Sequence, residues 1–201
     1  MTASEPAGAG AGPLFAPPFA PLEIAEQLDR LSPEARLRTV VGLRRKQLAP
    51  LFEAAAFNEP LRLTDLVPAE TPPLTEVIHE GKNSLPLFTR FQKRFCRPPA
   101  AAAPDELWGY NEQTHRTATG PGYFVAHFAA GGDLIVDYTL LPPGKVDGWP
   151  KIIPNSARLS RFIYYQTQDV LRRVSQHVVI GRAYRKGQPF DAWFALVRQQ
   201  A

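Results

Sequence analysis

His127 and Asp137 are the residues whose types and spacing could carry general acid/base chemistry. If 122–130 and 133–141 are the two strands of one hairpin, alternation puts Tyr123, Val125, His127 and Ala129 on one face and Phe124, Ala126 and Phe128 on the other. On the second strand Asp137 shares a face with Ile135 and Thr139, while Tyr138 shares the opposite one with Leu134, Val136 and Leu140. The all-apolar face of the first strand is the better core candidate, which leaves His127 on solvent or on a cavity wall. A carboxylate across the hairpin could orient the imidazole as a general base. Two separate surface or hydrogen-bonded side chains would give the same pattern.

The aromatic inventory points to a second kind of chemistry, the holding of a small molecule. Trp108, Tyr110, Tyr123, Tyr138, Trp149, Tyr165 and Trp193, together with His127, form the candidate ligand-binding set. Pockets for small molecules are mostly apolar with a few polar tips, and Tyr and Trp supply both in one side chain. The expectation is a cavity of a few hundred Å3, at the lower end of the usual range of about 300–1,000 Å3. In the segment Asp147-Gly148-Trp149-Pro150-Lys151 an aromatic is held beside Pro and Lys, as a lid over a barrel mouth or as a plug against its end.

Other chemistries find no pattern to stand on. Gly120-Pro121-Gly122 precedes a strand and is not a strand-to-helix phosphate loop. His79, His115, His127 and His177 lack the spacing of metal ligands. Ser156, Ser160 and Ser175 lie outside any nucleophile elbow. No cofactor is implied.

The elements that must position these residues are mainly strands. ELWGYNEQ (106–113), GYFVAHFAA (122–130) and DLIVDYTLL (133–141) are rich in aromatic and β-branched residues and bounded by turn residues. Gly131-Gly132 supplies a pair suited to positive φ for a two-residue hairpin turn. A second hairpin is expected from 177–185 and 189–198 around Lys186-Gly187-Gln188. A further strand is expected over 74–80. The 85–95 stretch fits either a strand pair or a helix carrying Phe88, Phe91 and Phe95, with helix preferred. The 157–174 stretch reads as helical, with Ile163-Tyr164-Tyr165 keeping strand as its competitor.

Upstream of the strands, 22–31 forms a short helix. Ser32-Pro33-Glu34 has the cap, proline and acidic residue of a helix start, and Leu37, Val40, Val41, Leu48, Leu51, Phe52 and Ala55 continue one apolar stripe beside a basic collar at Arg44, Arg45 and Lys46. The fold class expected is α+β, an N-terminal helical pair packed on an antiparallel β-barrel or strongly curved sheet. Residues 1–20, an Ala/Gly/Pro stretch, are expected to be a disordered or loosely docked tail. Residues 21–201 are expected to be a single domain, with helices in 21–56 and mainly antiparallel strands in 74–201.

Composition is consistent with this. At 201 residues the chain suits one domain, and its 44% apolar and 21% charged content is ordinary for a globular protein. The single Cys96 cannot form an internal disulfide, and the N-terminal stretch lacks the basic start and unbroken apolar run of an export signal. A cytoplasmic protein without a membrane span is the expectation.

The segment FIYYQTQDVLRRV (162–174), followed by HVVIG (177–181) and AWFALVR (192–198), resembles the closing strands of small lipocalin-like (calycin) barrels. The nearest pattern is that of bacterial GXWXG-domain proteins, whose C-terminal module is similar in its Tyr, Asp, Arg-Arg-Val, Gly and final aromatic-aliphatic-Arg layout. The resemblance covers the last 40 or so residues and implies a barrel. The functional expectation is the binding of a small hydrophobic or amphipathic molecule inside that barrel. The alternatives are an interaction or scaffold protein, as a homodimer or with a protein partner, docking through its helices and basic residues, and an acid/base enzyme using His127 and Asp137. Aromatic and basic residues are not interleaved as in RNA-binding sheets, and DNA is not an expected partner.

Overall fold

In the computed structural model the described residues are 14–15, 19–85, 89–99, 105–113, 120–157 and 159–199. Eight antiparallel strands follow one another in chain order and close into a barrel: β1 (Val77–Asn83), β2 (Arg90–Cys96), β3 (Glu106–Glu112), β4 (Tyr123–Phe128), β5 (Leu134–Asp137), β6 (Thr167–Arg173), β7 (Val178–Arg185) and β8 (Gln188–Arg198). Closure is made by β1 against β8, with Gly81 opposite Leu196, and it leaves the sheet without a free edge.

Alternation along each strand sorts the side chains into a lumen and an outer face. Phe95, Leu107, Phe124, Ala126, Leu134, Val136, Leu171, Val179, Phe194 and Leu196 form the inner core. The rings need room in so narrow a barrel, and glycines on neighbouring strands provide it. Gly109 lies opposite Phe124 and Gly181 opposite Phe194, and a Cβ at either glycine would run into the facing ring.

Helices α1 (Pro21–Arg30), α2 (Pro33–Val41) and α3 (Arg45–Ala54) cover the outer face of β7 and β8. Ile24, Leu28, Val40, Leu48, Leu51 and Phe52 bury their apolar side against Val178, Ile180, Ala195 and Val197. The Ser32 hydroxyl accepts from the Ala35 N–H at 3.3 Å, capping α2 ahead of Pro33 as the sequence predicts. The single stripe expected over 33–55 is cut in two, because the chain leaves the helix at Gly42 and restarts after Arg44. Phe15, in the stretch read as a tail, is fully buried among these helices, and its carbonyl accepts from the Gln47 amide at 3.1 Å. The other residues of that stretch up to Pro18 lie outside the described residues, Leu14 excepted.

Four further expectations are corrected. Within the 85–95 region, residues 90–95 belong to strand β2 and not to a helix: the Phe spacing imitates a helical stripe, yet pairing on both sides with β1 and β3 decides the conformation, and residues 86–88, Phe88 among them, lie outside the described residues. The 157–174 region is a four-residue helix, α5 (Ser160–Ile163), followed by strand β6, with Gln166 at φ 55° making the break. The first strand starts at Val77 and not at Leu74, whose φ of 56° marks a turn. The β4–β5 turn is a three-residue loop in which Ala129 N–H reaches the Asp133 carbonyl at 2.8 Å, and of the two glycines Gly132 alone has positive φ, at 88°. The β7–β8 turn has Lys186 and Gly187 at φ 53° and 74°, a two-residue hairpin turn.

The two barrel ends differ. A short helix, α4 (Leu63–Leu66), brings Leu61, Leu66 and Val67 into the inner core and plugs the end where β1 begins. There the buried His79 has Nε2 2.9 Å from the Leu66 carbonyl and its ring edge against Phe95. At the other end, α5 and the β7–β8 hairpin border an opening.

Candidate functional site in the barrel lumen

The open end leads into a cavity of about 340 Å3. Phe91, Ile163, Tyr164, Ala183, Ala192 and Phe194 give it apolar walls, and Phe162 and Phe190 stand at its rim, 65% and 41% exposed. Of its polar lining residues, Asn111, Tyr138 and Asp169 gather around Lys93, on the inward face of β2 between Phe91 and Phe95, while Asn83, Gln113, Thr167 and Arg185 line it without bonding to Lys93.

Lys93 is a buried ammonium with three hydrogen-bond acceptors. Its Nζ donates to Asn111 Oδ1 at 3.1 Å, to Asp169 Oδ2 at 3.0 Å and, in a short contact, to the Tyr138 hydroxyl. Tyr138 Oη also accepts from Asn111 Nδ2 at 2.8 Å and donates to Asp169 Oδ2 at 3.2 Å, so four side chains from β2, β3, β6 and the end of β5 form one network. The rings of Phe91, Phe124, Tyr138 and Phe194 surround Nζ, with centroids 5.8, 5.2, 4.9 and 4.8 Å away. Tyr164 stacks on Tyr138 with ring centroids 5.0 Å apart.

Burial governs the electrostatics of this cluster. Removal from water holds Lys93 below the ordinary lysine range, against the attraction of Asp169. The same desolvation raises Asp169, against the attraction and hydrogen bond of Lys93. Tyr138 and Tyr164 are both pushed up by burial, and both are neutral hydroxyls at physiological pH. The floor of the cavity therefore offers hydrogen bonds but no net charge.

Of the sequence-predicted residues, Tyr138 reaches this cavity. Trp108, Tyr110, Tyr123 and Trp149 come together elsewhere, in an outer cluster with Cys96 and Val125 on the outside of β2, β3 and β4. Trp149 packs edge-on against Tyr110 with centroids 4.9 Å apart, and its indole donates to Glu76 Oε2 at 2.6 Å. Its loop thus lies against the barrel's side wall, neither lid nor end plug. Burial pushes Tyr110 up to about 12 and, together with Glu76, Cys96 up to about 12.

Trp193 points outward from β8 toward the helices, under the Arg182 guanidinium at 5.2 Å. Tyr165, 47% exposed, borders a second pocket with Thr139, Leu141, Pro154, Asn155 and Ser156.

His127 and Asp137 lie on the outer face, and neither lines the lumen. His127 Nε2 is 3.7 Å from Asp137 Oδ2. The carboxylate is already engaged: Oδ2 accepts from Gln168 Nε2 at 2.6 Å, and Oδ1 accepts from the Thr139 amide at 2.7 Å and its hydroxyl at 2.6 Å.

Sequence reasoning missed Lys93, Asn111, Asp169 and the lumen position of Tyr164. The available signal was Phe91-x-Lys93-x-Phe95, a lysine on the apolar face of an alternating segment, which a helical reading of 85–95 conceals.

Compared with known proteins, the chain matches no family, no curated protein and no solved structure. Among the described residues no helix is long and apolar enough to cross a membrane.

Proposed function

We propose that the protein binds a small molecule with an apolar body and one uncharged polar group inside the barrel. The observation that carries this reading is the lumen cavity of about 340 Å3, open at one end, walled by aromatic and aliphatic side chains and polar at its floor. Its size falls within the range of about 300–1,000 Å3 common for ligand pockets. Closed eight-stranded up-and-down barrels are the architecture of lipocalin-like binders, in which the interior has room for one small ligand. The lipocalin-like resemblance supports the reading at the level of architecture.

Charge at the floor of the cavity selects the polar group. A carboxylate or phosphate reaching Lys93 would also face Asp169, 3.0 Å from the ammonium. A cationic group would meet Lys93 itself. A hydroxyl, amide or carbonyl exchanges hydrogen bonds with Tyr138, Asn111 and Lys93 without adding charge to a dry site.

Two measurements test the proposal. Organic extraction of the freshly purified protein, followed by mass spectrometry, should return a neutral apolar molecule bearing oxygen. The fluorescence of 2-naphthalenemethanol should change saturably when it enters the lumen. An empty extract together with no saturable binding of the naphthyl alcohol would refute ligand binding.

A further inference from the structure

A purely apolar lining would hold an apolar ligand as well, so the lumen network asks for a separate explanation. Stability does not supply it. Taking two charges out of water costs more than their attraction often returns, and well-packed apolar residues frequently replace such pairs at no loss. Lys93 and Asp169, with side chains 2% and 6% exposed, are such a pair. They also sit at the bottom of a cavity, with a neutral phenol and a carboxamide arranged around the nitrogen.

We infer that Lys93 is a nucleophile that condenses with an aldehyde or ketone held in the lumen to form a Schiff base. This rests on the ligand-binding reading above and names its ligand class. A lysine amine reacts with carbonyls as the free base, and enclosure in an apolar pocket is the established physical means of exposing that base near neutral pH. The downward displacement of Lys93 by burial acts in this direction.

The neighbouring groups complete the proton inventory. Asp169 takes a proton from the ammonium across the 3.0 Å contact, leaving a neutral amine and a carboxylic acid. The nitrogen lone pair attacks the carbonyl carbon, the C–N bond forms, and the carbonyl π pair moves to oxygen, which receives the proton from Asp169. The nitrogen, now cationic, returns a proton to Asp169, giving a neutral carbinolamine. Asp169 then protonates the hydroxyl, which leaves as water while the nitrogen lone pair forms the C=N bond. Ammonium and carbonyl become iminium and water, with Asp169 a carboxylate at both ends and no change in oxidation state.

The site's charge is the same at both ends. An ammonium–carboxylate pair becomes an iminium–carboxylate pair within the same ring of aromatic faces. Tyr138, neutral and 3.2 Å from Asp169, can turn its one O–H from Asp169 to the oxygen while Asp169 holds a proton, with Asn111 fixing its direction through the 2.8 Å bond.

The test uses the full-length protein with 2-naphthaldehyde and sodium cyanoborohydride, which reduces an imine to a stable secondary amine. Peptide mass spectrometry then locates the naphthylmethyl group among Lys93 and the five other lysines, Lys46, Lys82, Lys145, Lys151 and Lys186. Lys93 should be labelled at least about tenfold faster than any other, because a carbonyl held beside its amine reacts at an effective concentration far above that in solution. Excess 2-naphthalenemethanol, of the same shape without the carbonyl, should suppress that labelling and leave the other lysines unaffected. Lys93→Met should lose the preferred adduct, and so should the double variant Lys93→Met/Asp169→Leu, which buries no unpaired charge. If the alcohol binds but the label is spread evenly over the lysines, Schiff-base formation is overturned and ligand binding stands. If neither naphthyl compound binds, both readings fall.

Discussion

Lys93 Nζ and Asp169 Oδ2 meet at 3.0 Å inside the barrel, although they are 76 residues apart and their strands, β2 and β6, do not pair. Each charge is tolerated there because the other is present. Asp169→Asn, which leaves the ammonium without a counter-charge, should destabilise the fold by about 3 kcal/mol, as expected for breaking a buried pair. The double variant Lys93→Met/Asp169→Leu should cost clearly less, since it buries no charge. Urea unfolding of both variants decides this, and a double variant as unstable as Asp169→Asn would disprove the coupling.

His79 makes stability depend on pH in a defined direction. Burial, and to a smaller extent Arg198, depress it from 6.5 to about 4, although its bond to the Leu66 carbonyl works the other way. The unfolded chain therefore takes up a proton near pH 6.5 that the folded chain refuses until about pH 4. The His79 contribution is complete above pH 6.5 and lost as pH falls toward 4, a change of about 3 kcal/mol. His177, lowered chiefly by desolvation, adds a loss of the same sign. Replacing His79 by Gln, which keeps an N–H for the Leu66 carbonyl, should flatten the stability profile between pH 6.5 and 4.5. An unchanged slope would contradict the assignment.

How far the sequence revealed this molecule depended on whether the deciding contacts were local. Strands β3, β4, β7 and β8 were legible because aromatic and β-branched residues fill them and turn residues bound them. The inward placement of Phe124, Ala126, Val136 and Tyr138 follows from alternation alone. Strand β2 was not legible: Arg90, Lys93 and Arg94 interrupt its apolar alternation, and the phenylalanines on either side repeat at helical spacing. What makes it a strand is pairing with β1 and β3, which no short window contains. The β1–β8 closure joins residues more than a hundred positions apart and turned a choice between barrel and curved sheet into a barrel. The site followed suit, since Tyr138 lay on a strand that could be read and Lys93 on one that could not. The outer aromatics gather away from the lumen because the 139–155 segment folds back over β3 and β4 and gives their outer face a core of its own.

Arg36, only 3% exposed, ties α2 to the end of α1. Its Nε donates to the Leu28 carbonyl at 2.9 Å and its Nη2 to the Leu31 carbonyl at 2.9 Å, satisfying acceptors that the end of a helix leaves open. Arg36→Met keeps much of the packing but takes the Arg36 donors from the Leu31 carbonyl and leaves that of Leu28 with only the Leu31 N–H at 3.3 Å, so it should lower stability by about 2 kcal/mol. Arg36→Lys, with a single donor group in place of the fork, should recover part of that loss. Thermal unfolding followed by circular dichroism measures both, and a methionine variant as stable as the parent would rule out the capping role.

Ala183 offers the most direct way to close the lumen. It lines the cavity from β7, directly opposite Asp169 in the register, where its methyl leaves the space above the network open. Ala183→Phe would put a ring into that space without removing any hydrogen bond around Lys93. Affinity for 2-naphthalenemethanol should then fall at least about tenfold, equivalent to 1.4 kcal/mol of lost binding free energy. Stability should hold or rise, because filling a cavity adds buried contacts. Tyr165→Ala supplies the contrast, since Tyr165 borders the second pocket and not this one. It should leave the affinity for the alcohol unchanged. If Ala183→Phe binds normally and Tyr165→Ala does not, the ligand belongs to the outer pocket, and the lumen is a hollow core without a guest.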